Sequence, residues 1–415
     1  MNGYKGIWFT LGQPSAYGDK YSGGLATYTS SHVPIAVYAK EVKKTFFVYG
    51  GTSGEHKRHL LIMISYYDHE KKHVPRPVIV FDKEGVDDPH DNASLALDDK
   101  GYIWVFVSGR NTTRPGKLFK SRQPYAIDNF EEIRTATMTY PQPWWVSGKG
   151  FFYLFTKYTN GRELYWSTSN DGLQWTPDQK LAGMGGHYQV SSIKQDSIVT
   201  VFNYHPSGNV DKRTNLYLLQ TADRGQSWTT VDGQPISVPL TDKTSAALVK
   251  DYEREGKLVY INDLNFCKHG HPVVLYICSN NFQPGPAKRS WTVAHWNGQR
   301  WIFTDLCAAT HNYDMGSLYI EGDTWRVIGP TVPGPQLYGT GGEMALWRSN
   351  DEGAHWTMKK QLTKKSLVNH SYARRPLQHP KHFMPFGQME TRTNYHPHNS
   401  ISAIVQAPCS GCPIT

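Results

Sequence analysis

Apolar residues along the chain come in short runs separated by tight polar turns, and the unit repeats. Its instances are Leu95 to Val107 turning at Asp98-Asp99-Lys100-Gly101, Trp144 to Thr156 turning at Ser147-Gly148-Lys149-Gly150, and Val190 to Phe202 turning near Gln195-Asp196. Further copies are Leu248 to Ile261 turning near Glu255-Gly256, Leu264 to Ile277 turning at Lys268-His269-Gly270, and Leu318 to Ile328 turning at Glu321-Gly322-Asp323. Each run has strand length and none continues at helical spacing, so the pattern predicts hairpins assembled into a propeller or a sandwich.

A second repeat decides between the two. Thr168-x-Asn170-x-Gly172-x-x-Trp175, Thr221-x-Asp223-x-Gly225-x-Ser227-Trp228 and Ser349-x-Asp351-x-Gly353-x-x-Trp356 share one pattern, the Asp box. Its physics is local. The hydroxyl and carboxylate or amide side chains bond backbone groups to close a turn, and glycine takes the positive-φ position. It marks a fold and is not an active site. Trp175 and Trp228 stand 53 residues apart, and Trp228 and Trp356 stand 128 apart, two steps of 64. That period suits one four-stranded propeller blade, and the 415 residues then hold seven. The expected fold is therefore all-β, a seven-bladed β-propeller with Asp-box (BNR-like) repeats. It is read as one domain, 1–415, whose N-terminal stretch closes the ring against the last blade so that no edge is free.

Composition agrees, since aromatics make up 13% of the chain and no long Leu/Ala/Glu/Lys run appears. The net charge of +9 is scattered in short pairs such as Lys43-Lys44, which fits an acidic ligand and shows no nucleic-acid footprint. Five cysteines form no disulfide framework, and the C-x-x-C of Cys409 and Cys412 lacks two further zinc ligands. No run of 18 apolar residues spans a membrane, and the first residues lack the pattern of a signal peptide. A monomer is expected, with no cofactor required for chemistry. Asp87, Asp88 and Asp91 are the one acidic cluster that suggests a structural Ca²⁺.

Candidate chemistry sits where the apolar phrases begin and end. Before them stand His90, Tyr140, His187 and His311, and after their second runs stand Arg110, Lys157 and the pair Tyr204-His205. Singly, a polar residue at a strand end is merely solvated. In a propeller, equivalent positions of successive blades face one another, so the set predicts a ring rich in His, Tyr and cations and poor in free carboxylates. Such a ring suits an anionic substrate. It does not suit ordinary glycoside hydrolysis, which uses two carboxylates about 5–10 Å apart. β-Elimination from a 4-linked uronate needs cations to neutralise the carboxylate, a base for the C5 proton and an acid for the leaving oxygen, and these residue types supply them.

Several strings resemble one known group. They are Gly6-Ile7-Trp8-Phe9-Thr10-Leu11-Gly12-Gln13, Tyr17-Gly18-Asp19-Lys20-Tyr21-Ser22-Gly23-Gly24, Asp87-Asp88-Pro89-His90-Asp91, Tyr338-Gly339-Thr340-Gly341-Gly342-Glu343-Met344 and Tyr372-Ala373-Arg374-Arg375-Pro376. The chain resembles the seven-bladed propellers of glycoside hydrolase family 145 and polysaccharide lyase family 42, which act on the terminal α-L-rhamnose-(1,4)-D-glucuronate cap of arabinogalactan proteins. The resemblance fades from about Phe386. It implies two readings. In the hydrolase reading, a single histidine on the posterior face acts, matched here by His32. In the lyase reading, as in related ulvan-type lyases, His, Tyr and Arg act on the anterior face, matched by His90, Tyr140 and Lys157, with Arg110 in place of a second His.

The expected scheme is elimination. Arg110, helped by Lys157, holds the glucuronate carboxylate, His90 removes the C5 proton and Tyr140 protonates the rhamnose oxygen; His187, His311 and Arg374 are expected to bind substrate. The resemblance also implies a secreted or periplasmic protein. Two rivals stand beside it. A sialidase would show an Arg-Ile-Pro strand, absent here, and Arg374 with Arg375 in an arginine triad. A glycan-binding propeller without catalysis would use the same ring only to bind.

Overall fold

A computed structural model describes residues 14–19, 29–53, 59–378 and 386–389. Among them the chain forms antiparallel sheets in strict succession: sheet 1 (36–82), sheet 2 (93–136), sheet 3 (139–182), sheet 4 (189–250), sheet 5 (258–308) and sheet 6 (317–361). Five of these have four strands, and sheet 4 carries two further short ones. Two further sheets have two described strands each, Pro14–Ser15 with Gly18–Asp19 and, after sheet 6, His370–Arg374 with Phe386–Met389. The hairpins predicted from the apolar phrases are the first two strands of sheets, with one exception. Leu248–Lys250 pairs with Thr214–Thr221 and belongs to sheet 4, so the phrase from Leu248 to Ile261 straddles two sheets.

The sheets close a propeller-like ring. Each first strand packs on the next: Leu95 N bonds Pro34 O (2.9 Å), Gln142 Nε2 bonds Gln189 O (2.9 Å), and Leu318 N bonds Asp263 Oδ2 (2.8 Å). Ala373 N then bonds Met315 O (3.1 Å), while Tyr38 N bonds Leu377 O and Leu377 N bonds Ala36 O, both at 2.9 Å. Residues 370–377 thus join sheet 6 to sheet 1. The expected closure by the N-terminal stretch, the string Gly6 to Gln13 and the Cys409–Cys412 tail lie outside the described residues. A 3-10 turn, Thr29–Ser31, reaches across the ring: Ser31 O accepts from Gln142 Nε2 (3.1 Å) in sheet 3 and Ser30 Oγ bonds Ile261 O in sheet 5.

Inter-sheet wedges of large side chains hold the ring. Phe152, Leu154, Ile198, Phe202 and Leu219 are fully buried between sheets 3 and 4, and each such burial contributes about 1.5–3 kcal/mol. The Asp boxes sit at the other edge of these wedges, between third and fourth strands. Ser349 Oγ accepts from Gly353 N (2.9 Å) and Thr221 Oγ1 from Gly225 N (2.8 Å). In the first box the working residues are displaced by one from those the sequence suggested. Ser169 and Asp171, not Thr168 and Asn170, close the turn, with Ser169 Oγ accepting from Gly172 N (2.8 Å) and Asp171 Oδ1 from Leu173 N (2.8 Å). Gly172 and Gly225 hold φ of +79° and +86°, and a Cβ on either would lie 2.3 Å from the rings of Trp104 and Trp166.

Candidate active site

First strands begin, second strands end and third strands begin at the same end of every sheet, so the polar residues at those positions share one rim. His90 lies in a 3-10 turn, Pro89–Asp91, just ahead of sheet 2. Asp88 caps that turn, accepting from the amide of His90 (3.0 Å) and from its ring Nδ1. The other Asp88 oxygen accepts from Arg110 Nη1 (2.9 Å) and Arg114 Nη2 (2.6 Å). Asp91 is held by Arg114 Nε and by Lys83 Nζ (2.8 and 2.9 Å). Both carboxylates already face protein cations, so they do not fit the Ca²⁺ that the acidic cluster suggested. Among the described residues no group of three His, Cys, Asp or Glu is placed to hold a metal.

Tyr140 sits where the register of sheet 3 shifts between Thr139 and Gln142, with φ of +52°. A bulky residue in that region costs on the order of 1–3 kcal/mol and persists only where surroundings impose it. Here Tyr140 N bonds Ser108 Oγ (3.0 Å) and Thr139 Oγ1 bonds Gly109 O (2.7 Å), both across to sheet 2. The bulge sets the phenol against three rings: His90 at 5.5 Å, His32 at 5.1 Å and Tyr188 at 5.7 Å between centroids.

The charge balance of the cluster follows from burial. Burial alone would raise the Asp88 carboxyl, but the bonds from His90 and the charge of Arg110 hold it well below the usual range. Burial lowers His90, Asp88 partly restores it, and Arg110 and Arg162 lower it again, so the net direction is down and the imidazole is neutral near pH 7. With Nδ1 donating to Asp88, Nε2 is the basic atom. Arg110 and Arg114 are about a third exposed, which opens the cluster to solvent on their side.

Residues 37–308 match the profile of the BNR repeat-containing family. The chain belongs to that family. It is 22% identical over 332 residues to "Ulvan Lyase-PL25" of Pseudoalteromonas sp. (strain PLSV), covering 69% of this chain and 65% of the relative. It is 20% identical over 317 residues to "Ulvan lyase" of Alteromonas sp. (strain LOR), covering 64% and 62%. The chain therefore spans less than two thirds of the length of these curated relatives. A solved structure of a PL25 ulvan lyase bound to -[GlcA(1-4)Rha3S]- superposes with a TM-score of 0.73 at 16% identity, over 94% of this chain and 93% of that one. The polysaccharide lyase Uly1 superposes with 0.63 at 11% identity, over 94% and 96%. These likenesses establish the fold.

Within this family member, the residues expected from sequence divide. His90, Tyr140 and Arg110 come together. His32 joins them, contrary to the separate posterior face expected for it: it opens sheet 1 as His90 opens sheet 2, and its Nε2 lies 3.2 Å from His90 O. It is wholly buried in the turn that crosses the ring, and burial pushes its pKa down to about 3, with His90 and Arg374 also lowering it. Arg374 is buried near it, donating to Asn262 O (2.7 Å) and Tyr372 Oη (3.1 Å). His311 is buried beside Tyr313 at 5.8 Å, farther round the rim.

Lys157 and His187 are not brought to the cluster, Lys157 within a strand and His187 just ahead of one. Successive strand residues point to opposite faces. Lys157 turns to Asp178 (2.9 Å) while its neighbour Tyr158 faces the guanidinium groups of Arg110 and Arg162, at 5.6 and 5.3 Å. His187 turns inward to Asn203 O (2.8 Å) and Met184 N (3.2 Å) while Tyr188 enters the ring of aromatics. Two arginines went unnoticed in the sequence, Arg162 and Arg213. Arg213 lies over Tyr188, Tyr260 and Tyr313 at 4.2, 5.1 and 4.9 Å. Both open third strands, and counting those positions with first and second strands would have found them.

Proposed function

We propose that the chain is a polysaccharide lyase that breaks the bond to the 4-oxygen of a uronate by β-elimination. The observation that carries this reading is the Asp88–His90 pair set beside the Tyr140 ring, with the charges of Arg110 and Arg162 close to His90. In the proposed reaction, Arg110 and Arg162 neutralise the uronate carboxylate and so acidify the C5 hydrogen. His90 Nε2 takes that proton, the C4–O bond breaks as the C4–C5 double bond forms, and Tyr140 protonates the departing oxygen. Arg162 replaces Lys157 in the scheme because Lys157 turns away from the cluster to Asp178, whereas Arg110 and Arg162 both face Tyr158. The strained backbone at Tyr140 fits a residue whose orientation matters more than its local stability.

Hydrolysis has less support. Asp88 and Asp91, the carboxylates beside the cluster, are each held by protein cations, and His32 is sealed beneath the Tyr140 ring. For the substrate, glucuronate carrying rhamnose at its 4-oxygen is favoured, as implied by the resemblance to families 145 and 42; the ligand of the ulvan-bound relative likewise combines glucuronate with a rhamnose. The terminal arabinogalactan cap is one form of that linkage. All cluster side chains come from one copy, so a monomer suffices, and a polymeric substrate implies action in the periplasm or outside the cell. The ring itself is read as seven blades, the seventh being the short sheet at 370–389. Incubation with rhamnose-capped glucuronate oligosaccharide and with ulvan tests the reading. An unsaturated uronate is expected from at least one; saturated glucuronate with free rhamnose would overturn elimination.

A further inference from the structure

Outside the cluster, a cavity of about 310 Å³ lies on sheet 5, the last short strand of sheet 4 and the linker between them. It opens at the same end of the ring, since Lys257 precedes the first strand, Asn280 follows the second and Lys288 precedes the third. Three ammonium groups line it, those of Lys250, Lys257 and Lys288. Lys250 and Lys257 share one carboxylate, Glu255, at 3.3 and 2.8 Å, and Lys288 makes no ion pair among the described residues. Asp305 stands on another wall, accepting from Ser290 Oγ and Thr292 Oγ1 at 3.0 and 2.9 Å. Lys250 also lies over the Tyr252 and Phe303 rings, at 4.8 and 4.6 Å. Ammonium groups, a carboxylate and aromatic faces in one space of this size suit a sugar that carries an anionic group beside hydroxyls. A bare anion would gain the lysines but meet Asp305.

The cavity is tied to the cluster through the backbone. Thr214 Oγ1 bonds Lys257 O (2.8 Å), and Val259 N bonds Arg213 O (2.8 Å), the guanidinium of Arg213 lying among the rim tyrosines. Its other walls come from the second, third and fourth strands of sheet 5, each about 4.8 Å farther out. We infer that this cavity is a distal subsite for an acidic sugar residue of the same glycan chain, several residues from the bond that is cut. The inference rests on the reading of the cluster as a site for acidic polysaccharide.

The test compares a uronate polymer with the shortest oligosaccharide that is cleaved. For Lys288→Ala, and for the triple variant Lys250→Ala, Lys257→Ala, Lys288→Ala, KM for the polymer should rise about five- to tenfold at unchanged kcat, with the oligosaccharide unaffected. The wild-type KM for the polymer should also rise with salt more steeply than that of the triple variant. Unchanged polymer KM in both variants, or equal losses on both substrates, would overturn the inference while leaving the cluster intact. If the wild type cleaves neither substrate, the lyase reading has failed instead. Calorimetric titration of the uronate polymer into the His90→Ala protein, with and without Lys288→Ala, then decides the subsite: equal affinities, or no binding, sink it.

Discussion

At the Asp-box end of the ring, Ser169, Thr221 and Ser349 each bond the amide of a glycine three or four residues ahead. At the opposite end, Tyr140 is oriented by Ser108, 32 residues away, and Arg213 donates to Tyr313 Oη across 100 residues. Both ends are made of polar side chains at strand ends. The Asp-box carboxylates remain near water and are stabilised by backbone amides, as at Asp351, lowered to about 2 by the His355 amide. The rim groups are buried and depend on one another. Local bonding closes a turn at little cost, whereas buried groups that differ in charge and protonation create chemistry. The first kind can recur in every sheet; the second is assembled from several sheets at once.

The comparison breaks if an Asp box matters to turnover or the rim does not. His90→Ala and Tyr140→Phe should each lower kcat on a uronate polymer about 10²- to 10⁴-fold, followed through the unsaturated product. Thr221→Ala should leave kcat unchanged. A comparable loss from Thr221→Ala would erase the distinction between the two ends.

Acid should act on the rim first. His32, His90, His187, His205 and His311 are all buried with lowered pKa values, about 3 for His32 and His311 and about 4 for His187. The unfolded chain, titrating near 6.5, binds protons before the folded one. Stability is therefore full above pH 6.5 and falls as pH drops toward those folded values, by about 1.4 kcal/mol per pH unit for each of His32, His187 and His311, offset in part by Asp314, whose buried carboxyl is raised to about 7. Urea unfolding at pH 7.5, 6 and 5 measures it, in a window above the titration of the Asp-box carboxylates. A midpoint constant across that window would contradict the burial of these rings.

Smaller effects sharpen the assignment within the rim. Arg162→Ala should lower kcat/KM at least about tenfold by removing a charge-assisted contact to the carboxylate, while Lys157→Ala should leave it unchanged. The reverse ranking would restore Lys157 to the site. The smallest change expected is in stability: Thr221→Ala should cost about 1 kcal/mol through loss of its turn hydrogen bonds, read from thermal or urea unfolding.

Much of this was legible in the chain. Short apolar runs between tight turns and Asp boxes depend on residues close in sequence, so hairpins and their order could be read directly, along with His90, Tyr140 and Arg110 at strand ends. The errors share one origin. Tyr158 stands in place of Lys157, Tyr188 in place of His187 and Ser169 in place of Thr168, each displaced by a single residue. In a strand one residue reverses the face, and a polar residue at a strand end does not announce which face is which. Arg162 and Arg213 were overlooked because third strands start at the same rim as first strands, which is a property of the antiparallel path.

By itself, then, the sequence determined the all-β class, the repeat, the turn chemistry and the supply of histidine, tyrosine and arginine at one end of the hairpins, since each rests on contacts within a few residues. Only the tertiary structure decided which of them meet. The bulge at Tyr140 is held by sheet 2, the Asp88–His90 pair is flanked by arginines from later strands, and His32 is carried under the phenol by a turn that crosses the ring. Those relations depend on strand register and ring closure, which join residues tens to hundreds of positions apart and leave no local mark in the chain.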